Sequence, residues 1–253
     1  MRLRTLSAIP LLFVAASAAA DCDHTAPHRL SADLKGATSV AVLARAGSLR
    51  VTGTSAAAVT ATGTACASDR DYLQGMRIEA RREGSELVIE AIIPERTHIF
   101  GWHEARLDME VNVPQHVALR VKDGSGSTEI RDVGSVTVTD GSGELEIKRV
   151  RGNVEVKDGS GSLSIRTVSG DVRIEDGSGS IEVEQIGGSV RVLEDGSGGI
   201  DIRDVERDVT IEDDGSGGID VDQVRGNFTV ENDGSGGVQY DRVGGRVRVP
   251  RER

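Results

Sequence analysis

The chain has 253 residues, room for one or two domains, yet only 2% are aromatic while 32 are glycine, so any core must be built from Val, Ile and Leu. The formal net charge is −11, and residues 123–253 carry 28 acidic against 16 basic side chains. That balance argues against nucleic acid or an anionic bilayer as the partner of this half.

The N-terminus reads as an export signal: Arg2 and Arg4 precede the apolar run "LSAIPLLFVAASAAA", and Ala18–Ala20 offer a small-residue cleavage site before Asp21. Residues 1–20 are therefore expected to be removed, which places the mature chain in the periplasm, at the cell surface or in the medium. No later stretch approaches the ~20 apolar residues of a spanning helix, so the mature chain is expected to have no transmembrane segment. "AAADC" lacks the residues of a lipoprotein signal ahead of Cys22.

Residues 21–37 read as an N-terminal tether. The chain's two cysteines, Cys22 and Cys66, are expected to form a disulfide in an oxidising compartment. "CDHTAPH" also puts His24 and His28 beside Cys22, but a short terminal cluster of this kind does not specify a metal site.

Residues 38–122 alternate apolar and polar in segments such as "SVAVLA", "SLRVTG", "ELVIEAII" and "RLDMEVNVP", the period of β-strands. They are expected to form wider, irregular coils that cover the N-terminal end of a regular stack, whose exposed edge would template aggregation. Within them "RTHIFGWHEA" collects His98, Phe100, Trp102 and His103 at what reads as a hairpin tip, either a local cap or a contact point.

From Asp123 onward one phrase recurs. DGSG begins at Asp123, Asp140, Asp158, Asp176, Asp195, Asp214 and Asp233, at spacings of 17, 18, 18, 19, 19 and 19 residues. Each is followed by an alternating segment ("ELEIKRV", "SLSIRTV", "SIEVEQI"), a turn, and a second short alternating segment ("NVEV", "DVRI", "SVRV"). Aligned, the copies give five apolar columns, one running Ile130, Ile147, Ile165, Val183, Ile202, Val221, Tyr240, and Thr128 is the one polar residue in them. The length differences fall in the turns, as they must if strands are to keep their faces.

This pattern predicts an all-β fold: a parallel β-solenoid (β-helix) of about seven regular coils of 17–19 residues over 123–249, with the irregular β segment before it and a tail at 250–253. Like strands of successive coils should pair ~4.8 Å apart. The competing topology is a meander of antiparallel hairpins.

The DGSG aspartates are read as structural turn residues, each carboxylate accepting hydrogen bonds from the amides that follow while glycine supplies positive φ. A second corner carries the column Gly134, Gly152, Gly170, Gly188, Gly226, Gly245, broken by Arg207. Calcium is the alternative at the thickened corners "LEDGSGG", "EDDGSGG" and "ENDGSGG", with Asp195, Asp214 and Asp233 as candidate ligands. The period does not match nine-residue calcium-binding rolls, so no metal or other cofactor is assigned. No catalytic residue is assigned either: the repeat region contains no His, and its acids recur in every coil instead of converging once. Outward columns such as Glu129, Glu146, Ser164, Glu182 beside Arg131, Lys148, Arg166, Glu184 read as a partly self-neutralising solvated face.

An irregular β segment ending in "MEVNVPQHVALRVKDGSGSTEIRDV", followed by coils of G-x-V-x-V and DGSG, resembles the bacterial β-strand-repeat family of exported proteins labelled "putative adhesin", whose domain has no established function. The resemblance spans residues 38–249 and implies a β-solenoid in the envelope or at the surface; it implies no substrate or catalytic residue. The expectation is an exported, non-enzymatic scaffold that binds an envelope or surface ligand, protein or glycan. A calcium-stabilised structural module and a polysaccharide-acting β-helix enzyme are the alternatives.

Overall fold

The computed structural model describes residues 22–94 and 105–250. The segment expected to be an export signal, the residues His98, Phe100, Trp102 and His103 expected at a hairpin tip, and residues 251–253 lie outside the described residues. Two eleven-stranded sheets enclose one continuous core of Val, Ile, Leu and small residues. The strands of the repeat region pair in parallel with their equivalents one coil away: Ile165 lies opposite Ile147 and Val183, and Val154 opposite Val136 and Val172. The protein is thus a parallel β-solenoid, and the antiparallel meander is ruled out for the repeats.

Each coil contributes one strand to each sheet, with DGSG at the corner between them. All five columns point inward over most of the stack. Full burial of each such side chain stabilises by roughly 1.5–3 kcal/mol, so the repeats stand almost wholly on aliphatic side chains, Phe228 and Tyr240 excepted.

One corner required more than alternation. Ile147 and Val150 both face the core although two residues separate them, and strict period two would turn Val150 outward. The chain absorbs the extra residue by placing Arg149 in the left-handed region, φ 55°. Asp132, Thr167, Gln185, Asp204, Gln223 and Arg242 do the same in the other coils, φ 50–62°. None is glycine.

The N-terminal region comprises β1 (His24–Asp33), β2 (Ser39–Leu43), β3 (Leu49–Thr54), β4 (Ala58–Ala67), the short helix α1 (Arg70–Leu73), β5 (Arg77–Glu83), β6 (Glu86–Ile92), β7 (Ala105–Pro114) and β8 (Ala118–Lys122), leading into β9 (Gly126–Arg131). Parallel stacking extends N-terminal to the first DGSG, since β8 is in register with Val136–Thr139. Within the segment read as an N-terminal tether, β1 pairs along its whole length with β4.

The coils are also out of chain order. β2 lies between β8 and β6, and β3 lies between β9 and β7, so residues 39–54 are inserted between the 86–114 strands and the first DGSG coil. Beyond them β5, β4 and β1 are antiparallel and finish the two sheets. At the opposite end Phe228 is fully buried, but Tyr240 is 49% exposed and packs against it with the rings tilted by 56° and their centroids 5.9 Å apart.

Candidate functional site

The repeated DGSG corner is the first candidate, and its aspartates are buried. Asp140 is two residues beyond Val138 and four beyond Val136, so it shares their inward face; the strand Val136–Asp140 alternates buried and exposed accordingly. Asp123, Asp140, Asp158, Asp176, Asp195 and Asp214 are all at most 4% exposed. Successive members lie in register from Asp140 to Asp233, forming a file of carboxyl groups inside the wall of the solenoid.

The longer coils keep this arrangement by a bulge. Where the spacing grows to 19 residues, one added residue would reverse the face of Asp195. The pairing shifts between Ile174 and Glu175 instead, leaving Leu193 as the extra residue and restoring Asp176 opposite Asp195. The aspartate is held inside at the expense of strand regularity.

Hydrogen bonding divides the file. In the first coil Gly124 donates its amide to Asp123 Oδ1 at 2.8 Å, and Thr128 donates its hydroxyl to Asp123 Oδ2 at 3.0 Å. In the next coils the residues in register with Thr128 are Leu145, Leu163, Ile181, Ile200 and Ile219, which have no hydroxyl. Both carboxylate oxygens of Asp140, Asp158, Asp176, Asp195 and Asp214 are buried without a hydrogen-bond partner. The carboxylate of Asp123 thus has full hydrogen-bond geometry, while at Asp140, Asp158, Asp176 and Asp195 the amides that follow in the corner still oppose the rise in pKa.

Burial is the largest cause of the resulting electrostatics. Asp140 is pushed up to about 6 by burial and then by Asp123 and Asp158, and Asp195 to about 7 by burial and then by Asp176 and Asp214. Asp123, Asp158, Asp176 and Asp214 are also raised, again chiefly by burial. The amides of Gly141 and Ser142 lie close enough to oppose the shift at Asp140 without the geometry of a hydrogen bond. Asp214 adds to the rise at Asp195, and Asp233 to the rise at Asp214, as the next carboxyl groups along the file.

The glycines of this corner are required by stacking. A Cβ on Gly196 would lie 2.2 Å from the Gly177 carbonyl oxygen, and one on Gly198, at φ +143°, would lie 1.4 Å from that of Gly179. The positive-φ explanation therefore applies to the last glycine of DGSG and not to the first.

The second corner carries a ladder that repeat alignment missed. Ser135 Oγ accepts the amide of Asn153, Asn153 Oδ1 accepts that of Asp171, and Asp171 Oδ1 accepts that of Ser189, at 3.2, 3.0 and 2.8 Å. Asp208 and Asn227 continue it. The residue after the glycine, or after Arg207 where it replaces the glycine, is Ser, Asn or Asp in these coils, which was the available signal. Here the polar groups are partnered, in contrast to the DGSG file.

The outward face of the β9 sheet carries the charges. Glu129 takes Arg50, Lys148 and Arg131 at 2.7, 2.8 and 3.4 Å, and Lys148 first and Arg50 second hold its carboxyl down at about 2. Arg166 reaches Glu182 at 2.7 Å in the next coil. Neutralisation thus runs between coils as well as within them. Toward the N-terminal end this face forms a groove of about 570 Å³, lined by Arg50, Glu110, Glu129, Glu144 and Glu146 with Ser127 and His28. His28 Nε2 is buried there without a partner. Sequence reasoning did not find this groove, because it joins segments about 80 residues apart.

Cys22 and Cys66 are bonded to each other with Cα atoms 5.6 Å apart, so Cys22 is unavailable as a metal ligand beside His24 and His28. Asp195, Asp214 and Asp233 lie along one file, and among the described residues no group of three or more His, Cys, Asp or Glu side chains is arranged to hold a metal ion. Among the described residues no helix is long and apolar enough to cross a membrane.

No protein-family model matches the chain, and no curated protein matches it in sequence. Solved structures match it in shape. A "putative adhesin" from Bacteroides fragilis superposes with a TM-score of 0.50 at 10% identity, over 89% of this chain and 97% of that one. A "putative cell adhesion protein" from Clostridium sporogenes gives 0.35 at 10% identity, over 90% and 100%. A "putative lipid binding protein" from Parabacteroides distasonis gives 0.36 at 14%, over 89% and 97%. The first of these likenesses is one of fold.

Proposed function

We propose that the protein is an exported, non-enzymatic β-solenoid that serves as an adhesin-like binding or structural scaffold in the cell envelope. The observation that carries this reading is the outward face of the β9 sheet, where charged side chains stand in register from coil to coil and end in the polar groove around Arg50 and Glu129. A flat face of this kind gives many weak polar contacts at a fixed spacing, and contacts held on one rigid body add as avidity. The acids on it are distributed and mostly paired with Arg or Lys, which suits recognition of a polar ligand, protein or glycan, better than acid–base chemistry at one point.

The export signal and the disulfide support an oxidising, extracytoplasmic location. The test is retention of envelope proteins and glycans by immobilised mature protein. Binding that is reduced by Arg50→Ala combined with Glu146→Ala, in a variant with unchanged melting temperature, supports the groove as the contact. Depolymerisation of an acidic polysaccharide by the purified protein would replace the scaffold reading with an enzymatic one.

A further inference from the structure

The aspartates inside the DGSG corners have no role in surface recognition, and their cost requires an explanation. An ionised carboxylate buried without a hydrogen bond is among the most expensive groups a core can hold. The file repeats it at Asp140, Asp158, Asp176, Asp195 and Asp214. Aspartate is retained at every coil, and the bulge at Leu193 keeps the side chain inside where coil length alone would have released it.

The groups that face the file are few. On its own sheet each aspartate meets the aspartates of the coils above and below. Across the corner stand Thr128 in the first coil and Leu or Ile in register with it in the next five. Asp213 is a further charged neighbour of Asp214, and it is acidic. Among the described residues no Lys, Arg or His is among the groups that shift Asp140, Asp158, Asp176, Asp195 or Asp214, and at the first four only corner amides such as those of Gly141 and Ser142 oppose the rise.

Two ligands can relieve such a file, and the geometry separates them. A hard cation such as calcium takes six to eight oxygens; here the side chains in register with Thr128 are Leu or Ile and bring none. A proton needs only one donor and one acceptor oxygen, and neighbouring carboxyls one coil apart supply both.

We propose that the aspartate file is a proton-loaded column: neighbouring carboxyl groups share protons along the stack, so that proton uptake tightens the coils and proton loss loosens them. The scaffold is thereby strengthened in mildly acidic surroundings and weakened in alkaline ones. The raised folded-state values at Asp140 and Asp195, about 6 and about 7, give the window. The folded chain binds more protons than the unfolded chain between the ordinary aspartate value, ~3.9, and those values. Stability conferred by the file is therefore complete below about pH 4 and is lost as pH rises toward 7. Carboxylates held low by partners, such as Glu129 and Asp132, titrate below this window and act in the opposite direction.

The experiment is thermal unfolding of the mature protein from pH 4.5 to 8.5, in chelator and again with added calcium, alongside Asp195→Asn and the exposed control Asp241→Asn. The expected result is a melting temperature several degrees higher at pH 5 than at pH 8. Asp195→Asn should flatten that slope by raising the alkaline end, and Asp241→Asn should keep it. The infrared band of protonated carboxylic acid should be present in the folded unaltered protein at pH 6 and vanish on unfolding, which tests the column even if Asp195→Asn does not fold. A melting temperature that rises with pH across this range, or absence of that band at pH 6, overturns the proposal. So does a calcium-dependent stabilisation that Asp195→Asn abolishes, which would make the file a cation site.

Discussion

Thr128 donates its hydroxyl to Asp123 Oδ2 across 3.0 Å inside the first DGSG coil. The one polar residue in the apolar columns thus sits opposite the one inward aspartate whose two carboxylate oxygens are both bonded. Thr128→Val keeps the shape and removes the donor. The expected loss is about 1–2 kcal/mol, larger at pH 8 than at pH 5 because the ionised carboxylate suffers most. Urea unfolding at the two pH values measures it, and an equal loss at both would sever the link to Asp123.

Ile165 and its neighbour Arg166 test the assigned faces. Ile165 is fully buried between Ile147 and Val183, so Ile165→Asp places an unpaired charge in the core and should cost several kcal/mol or prevent folding. Arg166 is exposed and pairs with Glu182 and Glu184 on the surface, and Arg166→Asp should cost about 1 kcal/mol or less. Circular dichroism melts of both variants decide it, and comparable losses would contradict the register.

Glycine should matter by position. Gly196→Val drives a side chain into the Gly177 carbonyl and is expected to destabilise by more than ~3 kcal/mol, since stacked backbone cannot retreat. Gly218 has open space where a Cβ would stand, and the equivalent position in two other coils is held by Ser162 and Ser180. Gly218→Ser should stay within ~0.5 kcal/mol of the unaltered protein, read from chemical denaturation midpoints.

Thr167 is a β-branched residue at φ 59°. Left-handed backbone costs such a residue roughly 1–2 kcal/mol, and asparagine tolerates it better. Thr167→Asn should therefore raise stability by about 0.5–1 kcal/mol in spite of the lost hydroxyl bond to Gln185, visible as a higher melting temperature. A lower one would show that the exposed hydrogen bond outweighs the backbone strain.

Period, strand faces and corner positions were legible in the chain because they are local: five apolar columns repeating every 17–19 residues can be buried together only by stacking like strands. The inward direction of Asp140 was legible too, since it falls on the parity of Val136 and Val138, but the familiar turn chemistry of Asp-Gly concealed it. Only the tertiary structure decided the rest. The bulge at Leu193 that keeps Asp195 inside depends on pairing with the coil before, which no single repeat contains. The insertion of residues 39–54 between strands from 86–114 and 118–131, which brings Arg50 to Glu129, depends on contacts between segments about 80 residues apart. Their pairing follows from which edge is open when the sheets meet, and alternation within a strand carries no information about that.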